Sequence, residues 1–161
     1  VVLVDDAGPI QPITRGHIMF LTPNFTLEEM TFSLAAAQNA IPNDPGPEAL
    51  ANLGLLCGVL EEVRALIDSP IQITSGFRNE TVNQLVGGVR NSAHCLGLAA
   101  DMCVKTMTPR QLAECIRDSS IVFDQLILEF DTWVHLAISR DNPRRQVMTV
   151  RKGTGHLPGL Q

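Results

Sequence analysis

Apolar positions along the chain follow two rhythms. From 50 to 67, Leu50, Leu53, Cys57, Leu60, Val63 and Ile67 recur at steps of three and four residues, the buried stripe of one amphipathic helix. The spacing predicts a helix over about 48–67, entered from the loop holding Pro42, Pro45, Gly46 and Pro47 and stopped by Ser69-Pro70. Thr26-Leu-Glu-Glu29 is a capping box and predicts an earlier helix running to about Asn39. Thr108-Pro-Arg-Gln111 is a second, with proline where its missing N–H costs nothing, and predicts a helix to about Asp118. Asn79 caps a short helix that Gly87 and Gly88 end.

The other rhythm is that of strands. Residues 71–74 (IQIT) alternate, 98–104 (LAADMCV) form a short apolar run, and 122–130 and 133–139 are two apolar runs whose separation by Asp131-Thr132 predicts a hairpin. Residues 146–152 add one more strand. Helices come first and strands later, with no βαβ repeat. The expected fold is therefore α+β, a single domain with a small, mainly antiparallel sheet packed against helices.

Composition narrows the function classes. A chain of 161 residues fits one domain, and 45% hydrophobic with 18% charged residues suits a packed core. No apolar run approaches the roughly 18 residues of a membrane span, so no membrane is expected as partner. The net charge of −5 repels a phosphate backbone, and nucleic acid is not expected either. The basic run Arg140 to Lys152 reads as a solvated face. Cys57, Cys95, Cys103 and Cys115 contain no CxxC pair and read as free core thiols. Met19 opens a stretch that reads as a domain start, so residues 1–18 are assigned as an N-terminal extension and 19–161 as the functional domain. The first 18 residues lack the charged start and long apolar core of a signal peptide.

Residues 91–101, NSAHCLGLAAD, carry the first candidate chemistry. His94 and Asp101 stand at the two ends of a loop-to-strand transition, and Ala93, Gly97, Ala99 and Ala100 leave room for a backbone to fold closely around an ion. His135 supplies a third ligand from a strand on which Val134 and Leu136 face the other way. Two histidines and a carboxylate make a three-ligand zinc site with the fourth position left to water. On spacing alone, an ordinary loop leading into a core strand accounts for the same residues. His17 and His156, in Gly- and Pro-rich terminal segments, read as surface residues.

The wider pattern goes further. Ser75-Gly-Phe-Arg78, Asn83, Gly87-Gly88, Ser92-x-His94-x-x-Gly97-x-Ala99-x-Asp101 and Trp133-x-His135 occur in that order. Together they resemble the zinc peptidases that act on bacterial cell-wall peptides, the D-Ala-D-Ala carboxypeptidases and the phage L-alanyl-D-glutamate endopeptidase type of endolysin. The opening NFTLEEM and the closing HLPGL resemble segments of phage members. The resemblance implies a zinc DD-peptidase-like fold, one Zn2+ held by His94, Asp101 and His135, and a peptidoglycan stem peptide as substrate.

A hydrolytic site also needs a base. Glu129 matches the family's Leu-Ile-x-Glu pattern, and Asp131, in the hairpin turn, is the runner-up. The resemblance makes Arg78 the group that binds a substrate carboxylate or the developing oxyanion. Ser92 either bonds substrate or caps its own turn, and Trp133 fixes the strand carrying His135. The chain departs from the family at Ala93, where glutamine is common, at Phe77, where tyrosine is common, and at Thr132, where several relatives carry the glutamate of a Glu-x-x-His or Glu-x-Trp-His arrangement.

The expectation is a zinc metallopeptidase, either carboxypeptidase or endopeptidase, and a phage lysin acting on the cell wall from the host cytoplasm or from a virion with other virion proteins. The competing reading is a non-catalytic structural or virion protein that keeps the fold and the metal. A closed zinc-storage site would need Cys95 or Cys103 as fourth ligand.

Overall fold

The structure, a computed structural model, describes the backbone of residues 13–15 and residues 18–161. Most of the N-terminal extension, with His17, lies outside the described residues. The first elements are short strands that the hydrophobic pattern does not announce: β1 Ile13–Arg15, β2 Ile18–Thr22 and β3 Phe25–Thr26, an antiparallel sheet of three. Leu21 and Phe25 enter the core from this sheet.

The single helix expected from Thr26 to about Asn39 is two. α1 Leu27–Thr31 starts as the capping box requires, with Thr26 Oγ1 accepting from the Glu29 amide at 3.1 Å. Thr31 bonds back to the Leu27 carbonyl through its hydroxyl (2.8 Å), Phe32 turns extended with ψ 130°, and Ser33 caps α2 Leu34–Gln38 afresh. Competition of a threonine and a serine for backbone partners divides the segment. α3 Pro47–Ile67 matches its predicted span, and Leu53, Leu56, Cys57, Leu60 and Val63 are fully buried along its stripe. α4 Glu80–Leu85 is capped by the Asn79 side chain. α5 Pro109–Asp118 has both halves of the predicted capping box.

The main sheet has six strands: β4 Gln72–Ser75, β5 Ala99–Cys103, β6 Gln125–Glu129, β7 Trp133–Ala137, β8 Gln146–Arg151 and β9 Gly155–Pro158, in the order β4-β5-β7-β6-β8-β9. All neighbours are antiparallel except β6 and β8, so the sheet is mainly antiparallel, as expected, but mixed. β6 and β7 form the predicted hairpin. Its turn centres on Phe130 and Asp131, both with left-handed φ (54° and 53°), and Thr132 N donates to the Glu129 carbonyl at 2.9 Å.

Strand alternation divides the sheet into two faces. Ala100 and Met102 on β5, Leu126 on β6, and Val134 and Leu136 on β7 join Leu53, Leu56 and Leu60 of α3 and Leu112 and Ile116 of α5 in one apolar core. Asp101, His135, Ile127 and Glu129 therefore point to the opposite face. No helix among the described residues is long and apolar enough to cross a membrane.

Two expectations are corrected in detail. Of the four cysteines only Cys57 is buried; Cys95 and Cys103 are half-buried and Cys115 is exposed, because each of the last three lies off its element's buried stripe or face. The basic run is not simply solvated. Arg144 grips Asp124 through both carboxylate oxygens, Arg145 donates to the carbonyls of Ile121, Arg117 and Ser119, and Arg151 pairs with Asp131 at 2.9 Å. These arginines tie β8 and the loop before it to α5 and to the β6–β7 hairpin.

Removing one of the stripe residues tests the core: Leu60→Ala should cost about 3 kcal/mol, measured as a lower urea midpoint with an unchanged slope.

Candidate metal centre

Three segments distant along the chain deliver His94, Asp101 and His135 to one point. Asp101 and His135 are direct cross-strand partners on β5 and β7, so the antiparallel register alone sets them side by side. His94 comes from a 3-10 helix, Ala93–Leu96, that lies just before β5. That helix is capped by Ser92, whose Oγ accepts from the His94 amide at 3.3 Å, and ended by Gly97 at φ 71°. Of the two roles read for Ser92, the structure displays the capping one. Gly97 admits no side chain, since a Cβ there would lie 2.5 Å from the Ala49 carbonyl oxygen of α3. Asn52, also on α3, donates to the Leu96 carbonyl at 2.7 Å. Neither contact of α3 with this turn is signalled by the sequence pattern.

The ligating atoms converge closely. His135 Nδ1 lies 2.8 Å from Asp101 Oδ1, His94 Nε2 lies 3.2 Å from His135 Nδ1, and His94 Nε2 lies 3.3 Å from Asp101 Oδ1. A tetrahedral ion with bonds of about 2.0–2.1 Å holds its ligand atoms about 3.3 Å apart, close to this triangle. All three residues are buried, between 2% and 9% exposed.

The chemistry of the donor set also fits a cation. His94 Nδ1 donates to the Gly76 carbonyl at 2.7 Å, which fixes the proton on that nitrogen and turns the Nε2 lone pair inward, toward a carboxylate and a second imidazole. Three electron-rich atoms pressed together away from water need a positive charge among them. Burial raises the Asp101 carboxyl, but the close polar contacts with the His135 and His94 rings outweigh it, holding the group well below the usual carboxylate range.

Gly76 is itself held without slack. Its own Cβ, if it had one, would meet the Met30 carbonyl oxygen at 2.2 Å, and the next amide, Phe77 N, donates to that same oxygen at 2.7 Å. The last turn of α1 thus backs the peptide that orients His94.

Glu129 and Asp131 separate clearly. Glu129 is two residues beyond Ile127, the cross-strand partner of His135, and so is a diagonal neighbour of that ligand on the same face. Burial raises its pKa and the negative charge of Asp101 raises it further, against the pull of His135 and a hydrogen bond from Trp133. That bond, Trp133 Nε1 to Glu129 Oε2 at 3.1 Å, gives Trp133 a contact with the carboxylate that the sequence reading, packing alone, did not contain. Asp131 sits on the exposed turn, and its carboxyl is held low by Arg151, with Arg110 as the further charged neighbour; no member of the cluster influences it.

Arg78 follows the Ser75-Gly-Phe turn at the end of β4. Its Nη2 is 3.9 Å from Asp101 Oδ2, and its Nε is buried without a hydrogen-bond partner among the described residues. Cys103 points toward Gln72, 3.7 Å from its Oε1, and no cysteine is in the ligand group, so among the described residues the site has three protein ligands.

Comparison with known proteins gives this geometry its place. The sequence profile described as Peptidase M15 matches residues 23–137, well over half of the chain. The chain belongs to the peptidase M15 family. A zinc D-Ala-D-Ala carboxypeptidase of Streptomyces albus G is 38% identical over 71 residues, a stretch covering 44% of this chain and 28% of that protein. This chain therefore spans well under two thirds of that relative's length. That relative is named for zinc, and the His-Asp-His group of this chain could hold one metal ion.

Zinc added to metal-free protein should raise its stability by about 4 kcal/mol at a thousandfold excess over Kd, read as a higher thermal midpoint that a chelator reverses. In Asp101→Asn, nearly the same in shape, that rise should disappear. Gly76→Ala should lower zinc affinity by about tenfold or more by displacing the carbonyl that orients His94.

Proposed function

We propose that this chain is a zinc metallopeptidase that hydrolyses an amide bond in the peptide stem of bacterial peptidoglycan. The observation that carries the reading is the placement of Glu129: a half-buried carboxylate on the ligand face, diagonal to His135 and anchored at one oxygen by Trp133. Its other oxygen is left for a proton. When bound, the zinc ion supplies a Lewis acid and acidifies a water molecule.

The protein side chains do the rest. Glu129 takes the proton of the attacking water and later gives it to the departing nitrogen, and a carboxyl whose pKa is raised is suited to both tasks. Asp101 and the two histidines hold the reacting centre on a rigid sheet. Arg78, with a guanidinium edge unspent on the protein, binds a substrate carboxylate or the oxyanion that forms at the carbonyl.

A guanidinium that close to the centre suits a substrate with a free carboxylate next to the cleaved bond, and the relative's name points to D-Ala-D-Ala. We therefore place the terminal D-Ala-D-Ala bond first and the internal L-Ala-D-Glu bond second. The NFTLEEM and HLPGL segments motivate a phage origin, as a lysin released from the host cytoplasm or as a virion component working beside other virion proteins.

Digestion of purified cell walls followed by mass spectrometry of the released fragments tests the reading and names the bond. Glu129→Gln should release fragments about 100-fold or more slowly with zinc content unchanged. Equal release by both proteins would remove Glu129 from the mechanism. No release by wild-type protein carrying its zinc would favour the non-catalytic, structural reading.

A further inference from the structure

Among the described residues, the guanidinium of Arg78 makes no hydrogen bond of its own. Its contact with Asp101, at 3.9 Å, is too long for a hydrogen bond, and its Nε has no partner among the described residues. What fixes the side chain is the backbone from which it springs. The Arg78 amide donates to the His94 carbonyl at 3.3 Å. The peptide groups on either side, the Phe77 carbonyl and the Asn79 amide, are both engaged by one residue far away in sequence.

That residue is Asn43, in the loop between α2 and α3. Its Nδ2 donates to the Phe77 carbonyl at 2.9 Å and to the Thr31 carbonyl at 2.8 Å, and its Oδ1 accepts from the Asn79 amide at 2.8 Å. Only an amide offers two donors and an acceptor in one plane at this size. The orientation is unambiguous, because reversing the amide would set its NH2 against the Asn79 N–H and its oxygen against two carbonyls. Asn79 returns the contact, its Nδ2 donating to the Pro42 carbonyl at 2.6 Å while its Oδ1 caps α4. Residue 78 is thus bracketed from both sides by a single side chain.

We propose that Asn43 is a positioning residue that aims Arg78 at the substrate's carboxylate. This rests on the reading of Arg78 given above, and the test separates the two. An acetylated peptide ending in D-Ala-D-Ala, and the same peptide as its C-terminal amide, are titrated against zinc-loaded Glu129→Gln protein. The titration is repeated after adding Asn43→Ala, Arg78→Ala or both.

Asn43→Ala is expected to weaken the carboxylate peptide about tenfold and to leave the amide peptide almost unchanged, as Arg78→Ala does. In the double variant the Asn43 change should add less than about twofold, the coupling of residues that act through one contact. Equal losses for both peptides, or full additivity, would overturn the proposal and leave Asn43 a general scaffold residue. An Arg78→Ala protein that still prefers the carboxylate peptide would overturn the Arg78 reading, and the proposal with it. Asn43→Asp, which keeps the acceptor and the shape but loses both donors, carries the same expectations if Asn43→Ala does not fold.

Discussion

Everything at the centre depends on the register of two antiparallel strands. Because Asp101 stands directly opposite His135, a carboxylate and an imidazole share a small buried volume by virtue of backbone pairing alone. Shifting β7 by one residue against β5 would turn His135 to the core side of the sheet and set Val134 or Leu136 opposite Asp101 instead. The apolar residues that alternate with the ligands make such a slip costly, so core packing and ligand placement are set by the same pattern. His94 completes the group from outside the sheet and needs more support: a serine cap, a glycine in left-handed conformation, and a hydrogen bond to a carbonyl that is itself locked against α1.

The elements with their own local chemistry were legible. The Thr108 capping box, the stripe of α3, the Asn79 cap and the β6–β7 hairpin all fall where the pattern puts them, because each is determined by residues within a few positions of one another. The break between α1 and α2 was not, since a capping box marks where a helix starts and says nothing of how far it runs. β1, β3 and β9, of two to four residues, carry no apolar run or alternation to mark them, and the apolar run of β2 reads equally well as the opening of a domain. The parallel pairing of β6 with β8 depends on a crossover past α5, which only the folded chain defines.

The same distinction applies to the site. His94, Asp101 and His135 were readable as a motif, and the structure brings them together. The groups that hold them are backbone carbonyls of Gly76 and Leu96, and a carbonyl has no signature in a sequence. The contact between Trp133 and Glu129 lay closer to hand, for a hairpin that pairs those two positions makes an indole N–H and a carboxylate neighbours on one face. The free thiols were misjudged where apolar context stood in for burial, as at Cys115, which lies on the open side of α5.

Gly76 binds the fate of the metal pocket to a part of the chain some distance from it. The oxygen of Met30 lies in van der Waals overlap with any side chain at that glycine and accepts from the amide after it, so fraying at the end of α1 loosens the imidazole of His94 at the same moment. A protease nick near Phe32, an exposed aromatic residue on extended backbone, would accordingly be felt as slow leakage of the ion long before the sheet itself opened.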